Sequence, residues 1–282
     1  MSVAPDPTTR FSDRVSDYER FRPGYPAQLL ASLRASVGLD PTQRVADVGA
    51  GTGKLAELFL DHGNEVFAVE PNAEMRATGE RRLGQRRSFH SLAGRAEATG
   101  LASASVDLVV VGQAFHWFDA DAARAEFLRV LRPPARVALV WNDRRRATGF
   151  MAGYEALVAR HGTDYARVRH DRIGEDLIAR FFEGARPRSP RGAGGAAGAG
   201  WRVERLSLQQ RLDLEGLLGR LHSSSYLPAA GATGCAALRS DAERLFDGYA
   251  RRGSVVVEYE TRIYSGRLRP RSRRGEGADG EP

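Results

Sequence analysis

Short apolar runs alternate with amphipathic stretches through the first half of the chain. Residues 45–48, 65–69 and 106–111 are continuous apolar or nearly apolar segments of strand length. Between them, Leu55-Ala56-Glu57-Leu58-Phe59-Leu60 carries helical periodicity, and residues 120–131 do the same. The pattern predicts five strands centred on Val45, Val66, Phe89, Val106 and Val137 with helices between, which is the signature of a parallel sheet. Ahead of them, residues 15–37 hold two helical stretches, the second beginning at Tyr25-Pro26, because proline suits the first turn of a helix. Beyond Asn142 the pattern changes. Residues 151–182 are helical with mixed charge, 201–212 alternate as a strand, 214–221 are helical, and 254–264 form a last strand expected to pair antiparallel with 201–212. Residues 1–12 read as a flexible arm, the Gly/Ala-rich segment 186–200 as a mobile surface loop, and 266–282 as a disordered tail.

Composition adds little chemistry and removes several possibilities. A chain of 282 residues can bury a full core as one domain, placed at residues 13–265 with its central part at 40–143. Net charge is +7, yet Lys54 is the only lysine. The arginines, including Arg81-Arg82, Arg86-Arg87 and Arg144-Arg145-Arg146, are spread among acidic neighbours. They are read as solvated faces, so a nucleic-acid partner is not favoured. No stretch is apolar enough to span a bilayer and residues 1–6 lack a signal-peptide pattern, so the cytoplasm is expected and a membrane partner is not. The lone Cys235 excludes an internal disulfide and a multi-cysteine zinc site; no metal is expected.

The chemistry is concentrated where the first strand turns into its helix, at Asp47-Val48-Gly49-Ala50-Gly51-Thr52-Gly53-Lys54. Glycine there reaches positive φ and admits a ligand close to the backbone, while the first helical amides point outward. The next strand ends at Glu70, whose carboxylate can accept hydrogen bonds from two ribose hydroxyls. The third glycine stands one place too early for G-x-G-x-x-G, whose last position falls on Lys54, and the Gly-Lys-Ser/Thr ending of a phosphate loop is missing.

This D-x-G-x-G-x-G pattern with an acidic residue at the next strand end resembles the S-adenosylmethionine site of class I methyltransferases, over roughly residues 11–142. Tyr18 to Pro26 is similar to the N-terminal flap of the small-molecule branch with its ubiquinone/menaquinone and trans-aconitate methyltransferase relatives, that is, a methyltransferase type 11 domain. The resemblance implies a Rossmann-like, seven-stranded, mostly parallel sheet with helices on both faces, a C-terminal antiparallel hairpin, and a small helical lid after strand five, at about residues 150–185. It implies S-adenosyl-L-methionine as cofactor, held by Asp47, Gly49, Ala50, Gly51, Gly53, Glu70, Pro71, Asn72, Met75, Ala96, Glu97, Gln113 and Ala114, with Tyr18 and Arg22 closing over the methionine part. Tyr25, His116, Trp117, Phe118 and Tyr226 would line the acceptor pocket. At Pro133-Pro134-Ala135 the chain departs from the Gly-Gly of many relatives, so that turn is expected to be reshaped.

Alternatives remain at several of these positions. Asp47 either touches the ligand or fixes the glycine loop through its amides. His116 is a general base, a pocket wall or a structural residue, Trp117 and Phe118 wall the pocket or pack under the sheet, and Tyr18, Arg22 and Tyr25 form a flap or pack as helix residues. The reading is an enzyme, monomer or homodimer, that methylates a small organic acceptor at a carboxylate, hydroxyl or activated carbon by in-line displacement. A cofactor-binding regulatory partner and an RNA-associated methyltransferase are the other two possibilities.

Overall fold

The computed structural model describes residues 14–146, 149–163, 165, 174–184 and 200–269. Helices α1 (Val15–Phe21) and α2 (Gln28–Val37) lead into β1 (Arg44–Val48), α3 (Lys54–His62), β2 (Glu65–Val69), α4 (Ala73–Leu83), β3 (Phe89–Leu92) and β4 (Val106–Gly112). A short 3-10 turn, Phe115–Trp117, precedes α5 (Ala120–Val130) and β5 (Leu131–Arg144). Then come α6 (Phe150–His161), α7 (Glu175–Glu183), β6 (Trp201–Leu212), α8 (Leu214–His222), α9 (Cys235–Tyr249) and β7 (Val255–Arg267). The seven strands order as β3-β2-β1-β4-β5-β7-β6. Pairing is parallel from β3 through β5, and β7 is antiparallel to both β5 and β6.

Alternation along the strands builds two cores. On one face, Ala46, Val48, Val109, Val111, Val137 and Leu139 pack against Phe127 of α5 and Phe181 of α7. On the other, Val45, Leu108, Val110, Ala138 and Val140 pack against Leu29 and Leu33 of α2 and Phe59 of α3. With both faces covered, β4 must be apolar throughout, which is why Val106 to Val111 reads as an almost unbroken run. A third core caps the far ends of β6 and β7, where Leu212, Val257 and Tyr259 meet Tyr154 of α6, Leu217 of α8 and Leu238 of α9.

The register sets the functional edge. Asp47 lies level with Ala68 of β2 and Val110 of β4, so these strands end together at Gly49, Glu70 and Gly112. The strand order reverses between β1 and β4, and the crevice outside such a reversal is where open α/β sheets bind ligands.

Three expectations need correction. The segment placed as one lid divides: α6 joins the cap, whereas α7 lies on the sheet with Ile178, Phe181 and Phe182 fully buried. The cap is completed by α8 and by α9, a helix the sequence reading had not identified. The tail does not begin at Gly266. That glycine sits inside β7 between Val137 and Trp201, where a β-carbon would collide with Trp201, and Leu268 still donates to the Ala135 carbonyl. At the reshaped turn, β5 runs through a cis Pro133–Pro134 bond with Ala135 at φ 53°, and the β4–β5 register shifts beside it. The arm, most of the Gly/Ala segment and residues 270–282 lie outside the described residues. Among the described residues, no helix is long and apolar enough to cross a membrane.

Because Phe181 is 2% exposed and packs on Phe115 and Phe127, Phe181→Ala is expected to lower the unfolding free energy by roughly 3–5 kcal/mol in urea denaturation. A loss below about 1 kcal/mol, as for a peripheral helix, would contradict the placement of α7.

Candidate functional site

The glycine turn is held from below by β2: the Gly49 and Ala50 amides both donate to the Val69 carbonyl, at 2.9 and 3.2 Å. Gly49, Gly51 and Gly53 all have positive φ (73°, 58° and 81°). They do different work. A β-carbon on Gly49 would press on Ala114 Cβ at 2.5 Å, so the loop touches the β4 exit only because glycine stands there. A β-carbon on Gly53 would press on Leu83 at 2.6 Å; this residue is the N-cap of α3 and faces the core, not the crevice. Around Gly51 nothing lies within 4 Å of such an atom, so this turn opens onto free space.

Glu70 closes the turn. One carboxylate oxygen accepts from the Gly51 amide at 2.8 Å and the other from the Asn72 amide at 2.9 Å. Burial pushes its pKa up, and the two amides and Arg76 only partly offset this. Asn72 caps α4 by accepting from the Met75 amide at 2.9 Å. Across the crevice, the Asp119 amide donates to Glu97, which fixes the turn carrying Ala96. A cavity of about 510 Å³ lies between these parts, bounded by Glu70, Pro71, Asn72 and Met75 on one side and by Ala96, Glu97, Ala114 and Phe118 on the other. Phe118 therefore belongs to this outer cavity and not to the inner pocket expected for it, because the 3-10 turn throws its ring toward Gly49.

An inner chamber of about 110 Å³ adjoins it, and Tyr18, Gly49, Gly112, Gln113 and Trp117 line both. Gln113 holds φ +59° while its amide donates to Val140, an uncommon backbone state for a residue with a side chain. That conformation turns the chain at the β4 exit, and His116 reaches the chamber with its ring 4.7 Å from that of Trp117. Tyr25, Ala50, Arg22 and Tyr226 line it as well.

Asp47 stands on the chamber wall, 1% exposed, and neither carboxylate oxygen has a hydrogen-bond partner of normal geometry among the described residues. It does not bind the glycine-loop amides, which are already committed to Val69 and Glu70. Burial raises its pKa to about 7 against the pull of the Ala56 amide. Arg22 is turned back onto Ser223, donating to its hydroxyl and its carbonyl at 3.1 Å each, with its guanidinium 5.2 Å from the Tyr18 ring. Helix α1 is thereby pinned to α8.

Several chamber residues were not found from sequence. Asn142, at the end of β5, donates to the Gly24 carbonyl at 2.9 Å and accepts from Thr261 at 2.7 Å, tying flap and sheet together. Arg144 had been read as part of a solvated triplet. Its side chain is instead only 10% exposed, because β5 runs on past the crevice and delivers it under the cap beside Glu155, at 2.6 Å. Arg220 is 2% exposed and donates to Tyr259, Ser224 and Ser223 hydroxyls. Burial opposes ionisation of Tyr226, but Arg144, Arg22 and Arg220 outweigh it and bring the hydroxyl down to about 8.

A glycine turn at the switch point, an acidic residue at the next strand end and a seven-stranded sheet with a reversed last strand define a class I methyltransferase fold. Residues 46–139 match the Methyltransferase domain family. An uncharacterized methyltransferase of Mycobacterium tuberculosis (strain ATCC 25618 / H37Rv) is 39% identical over 157 residues, or 56% of this chain and 62% of its own length. One from Schizosaccharomyces pombe is 36% identical over 135 residues, covering 48% of this chain and 53% of its own. The match thus spans about three fifths or less of these curated relatives. A solved type II methyltransferase candidate from Anaeromyxobacter dehalogenans superposes with a TM-score of 0.62 at 25% identity, covering 89% of this chain and 99% of that one.

The raised pKa of Asp47 gives a pH prediction. The folded state holds a proton that the unfolded state releases near pH 3.9, so this group's contribution is present in acid and is lost as pH rises toward about 7. Relative to Asp47→Asn, the ligand-free wild type is expected to lose stability across that window, with a slope approaching about 1.4 kcal/mol per pH unit. Parallel stability curves for the two proteins from pH 4 to 8 would contradict the burial of an unpaired carboxyl.

Proposed function

We propose that the protein transfers the methyl group of S-adenosylmethionine to a small organic acceptor, as a cytoplasmic enzyme acting as a monomer or homodimer. One observation carries this reading: the cavity closed by Glu70 and the glycine turn shares a wall, at Tyr18, Gln113 and Trp117, with a second, polar chamber. A nucleoside seated against Glu70 therefore has a path for its side arm toward a separate acceptor space.

The residues suit such a cofactor. The free space above Gly51 accepts a ligand where any side chain would intrude. Glu70, with each oxygen already taking one amide hydrogen, keeps lone pairs for ribose hydroxyls. Ala96 and Phe118 offer apolar surface to a base, and Asp47 offers a buried carboxyl to a cationic group. When bound, the cofactor supplies a methyl group on a sulfonium, already electrophilic.

The chain's own contribution is then mostly positional: Tyr25, Trp117 and His116 exclude water from the junction and orient the acceptor, which must approach to about 3–3.5 Å in line. A carboxylate acceptor needs no base, whereas a hydroxyl or carbon acceptor does. His116 is the histidine placed to remove that proton.

S-adenosylhomocysteine should bind with micromolar affinity by calorimetry. Gly51→Val should abolish binding by filling the free space at a φ of +58°, and Glu70→Ala should weaken it at least tenfold through loss of charge-assisted hydrogen bonds worth about 1.5–3 kcal/mol. Unchanged binding in Gly51→Val would overturn the site. If His116 is the base, His116→Ala lowers turnover by roughly a hundredfold to ten-thousandfold with cofactor affinity unchanged; a parallel loss of affinity would make it a binding residue.

A further inference from the structure

The inner chamber holds more positive charge than the described residues balance. Arg22, Arg144 and Arg220 all line it, and all three remain protonated at any physiological pH. Glu155 pairs with Arg144 at 2.6 Å and is shared with Arg146 at 3.5 Å. Neither Arg22 nor Arg220 has a carboxylate partner among the described residues; their hydrogen bonds run to Ser223, Ser224 and Tyr259. Asp47, across the chamber, supplies only part of one negative charge near neutral pH, since burial raises its pKa to about 7. A buried guanidinium facing only hydroxyls and a carbonyl is costly unless an anion completes its shell.

The fixed geometry shows where that anion goes. Arg144 spends its donors on Glu155, on the Tyr226 hydroxyl at 3.1 Å and on the Tyr165 hydroxyl at 3.0 Å. Each of its two terminal nitrogens keeps one further N–H. Arg220 is anchored through Nε on Tyr259 and through Nη1 on the serine hydroxyls, and its Nη2 makes no hydrogen bond among the described residues. Tyr259 in turn donates to Gln210 at 3.1 Å, so the anchor itself is held. Two immobilised guanidiniums with spare donors, flanked by a phenol, form a fork suited to a carboxylate.

The methyl donor cannot satisfy this demand alone. Its one carboxylate would neutralise one guanidinium, such as Arg22 of the flap, while its ammonium and sulfonium would add positive charge. Resting on the methyl-donor reading above, we propose that the acceptor is a small carboxylic acid, held as its carboxylate by Arg144 and Arg220 beside Tyr226. The carboxylate so engaged is the handle by which the acceptor is oriented toward the junction at Trp117 and His116.

The test uses the full chain saturated with S-adenosylhomocysteine, and binding of that molecule is measured first. Its absence would sink the methyl-donor reading without bearing on the chamber. Benzoate and succinate are then titrated against benzamide and succinamide by calorimetry and thermal shift. Both acids are expected to bind with millimolar or tighter dissociation constants, and the isosteric amides at least tenfold more weakly. Arg220→Gln should erase the preference for acids while leaving S-adenosylhomocysteine affinity within twofold, and Arg220→Lys should restore part of it. Equal binding of acids and amides, no binding of either acid, or an unaltered preference in Arg220→Gln would overturn the proposal. Binding of phenyl phosphate in place of both acids would overturn the carboxylate assignment. Should Arg220→Gln fail to fold, the acid-to-amide ratio on the wild type decides.

Discussion

The carboxylate of Glu70 is the constraint on which the crevice depends. It takes one amide from the glycine turn after β1 and one from the turn into α4. Two strand exits that would otherwise be independent loops are thereby fixed relative to each other. The parallel register of β1 and β2 brings the exits level, the Val69 carbonyl takes the Gly49 and Ala50 amides, and Glu70 finishes the joint. The opposite wall is fixed by contact, since Gly49 lets Ala114 and Phe118 close against the loop. A crevice made this way needs few dedicated side chains, because backbone geometry at the ends of three strands supplies most of it.

A second constraint organises the chamber beyond. β5 and β7 run on past the crevice, and their extensions carry Arg144 and Tyr259 under the cap formed by α6, α8 and α9. The cap core is apolar at its centre and lined with guanidiniums and phenols where it meets the sheet. Arg22 reaches that rim from α1's C-terminal end and binds Ser223, so flap, sheet and cap share one polar network. The same three guanidiniums make Tyr226 more acidic than an ordinary phenol. Outer cavity and inner chamber thus differ in kind: the first is backbone and one carboxylate, the second is concentrated positive charge.

These two parts were unequally legible in the sequence. The glycine turn, Glu70, the strands and the helices between the first five of them could be read because each depends on local rules: periodicity, turn chemistry and spacing along one segment. Arg144, Arg220 and Tyr259 could not, since their burial is decided by how long β5 and β7 continue and by which helices cover them. Arg144 is the sharpest example, for in sequence it stands in a run of three arginines and looks solvated. The same limit explains α7. Its amphipathic pattern was visible, but whether its apolar face meets a ligand or the sheet depends on Phe115 and Phe127, far away in sequence. For Asp47 the sequence left two roles open, and the choice turns on neighbours it does not show: the Gly49 and Ala50 amides are taken by Val69 and the Gly51 amide by Glu70.

The methyl-donor reading requires the glycine turn to hold the donor and to leave the arginine-lined chamber beyond its sulfur. A crystal structure of the full chain with S-adenosylhomocysteine tests this most directly. Ribose hydroxyls are expected on Glu70, the base between Ala96 and Phe118, and the sulfur facing the junction at Trp117 and His116, with Arg144 and Arg220 beyond it. A nucleoside bound away from Glu70, or a homocysteine arm filling the space between Arg144 and Arg220, would contradict it.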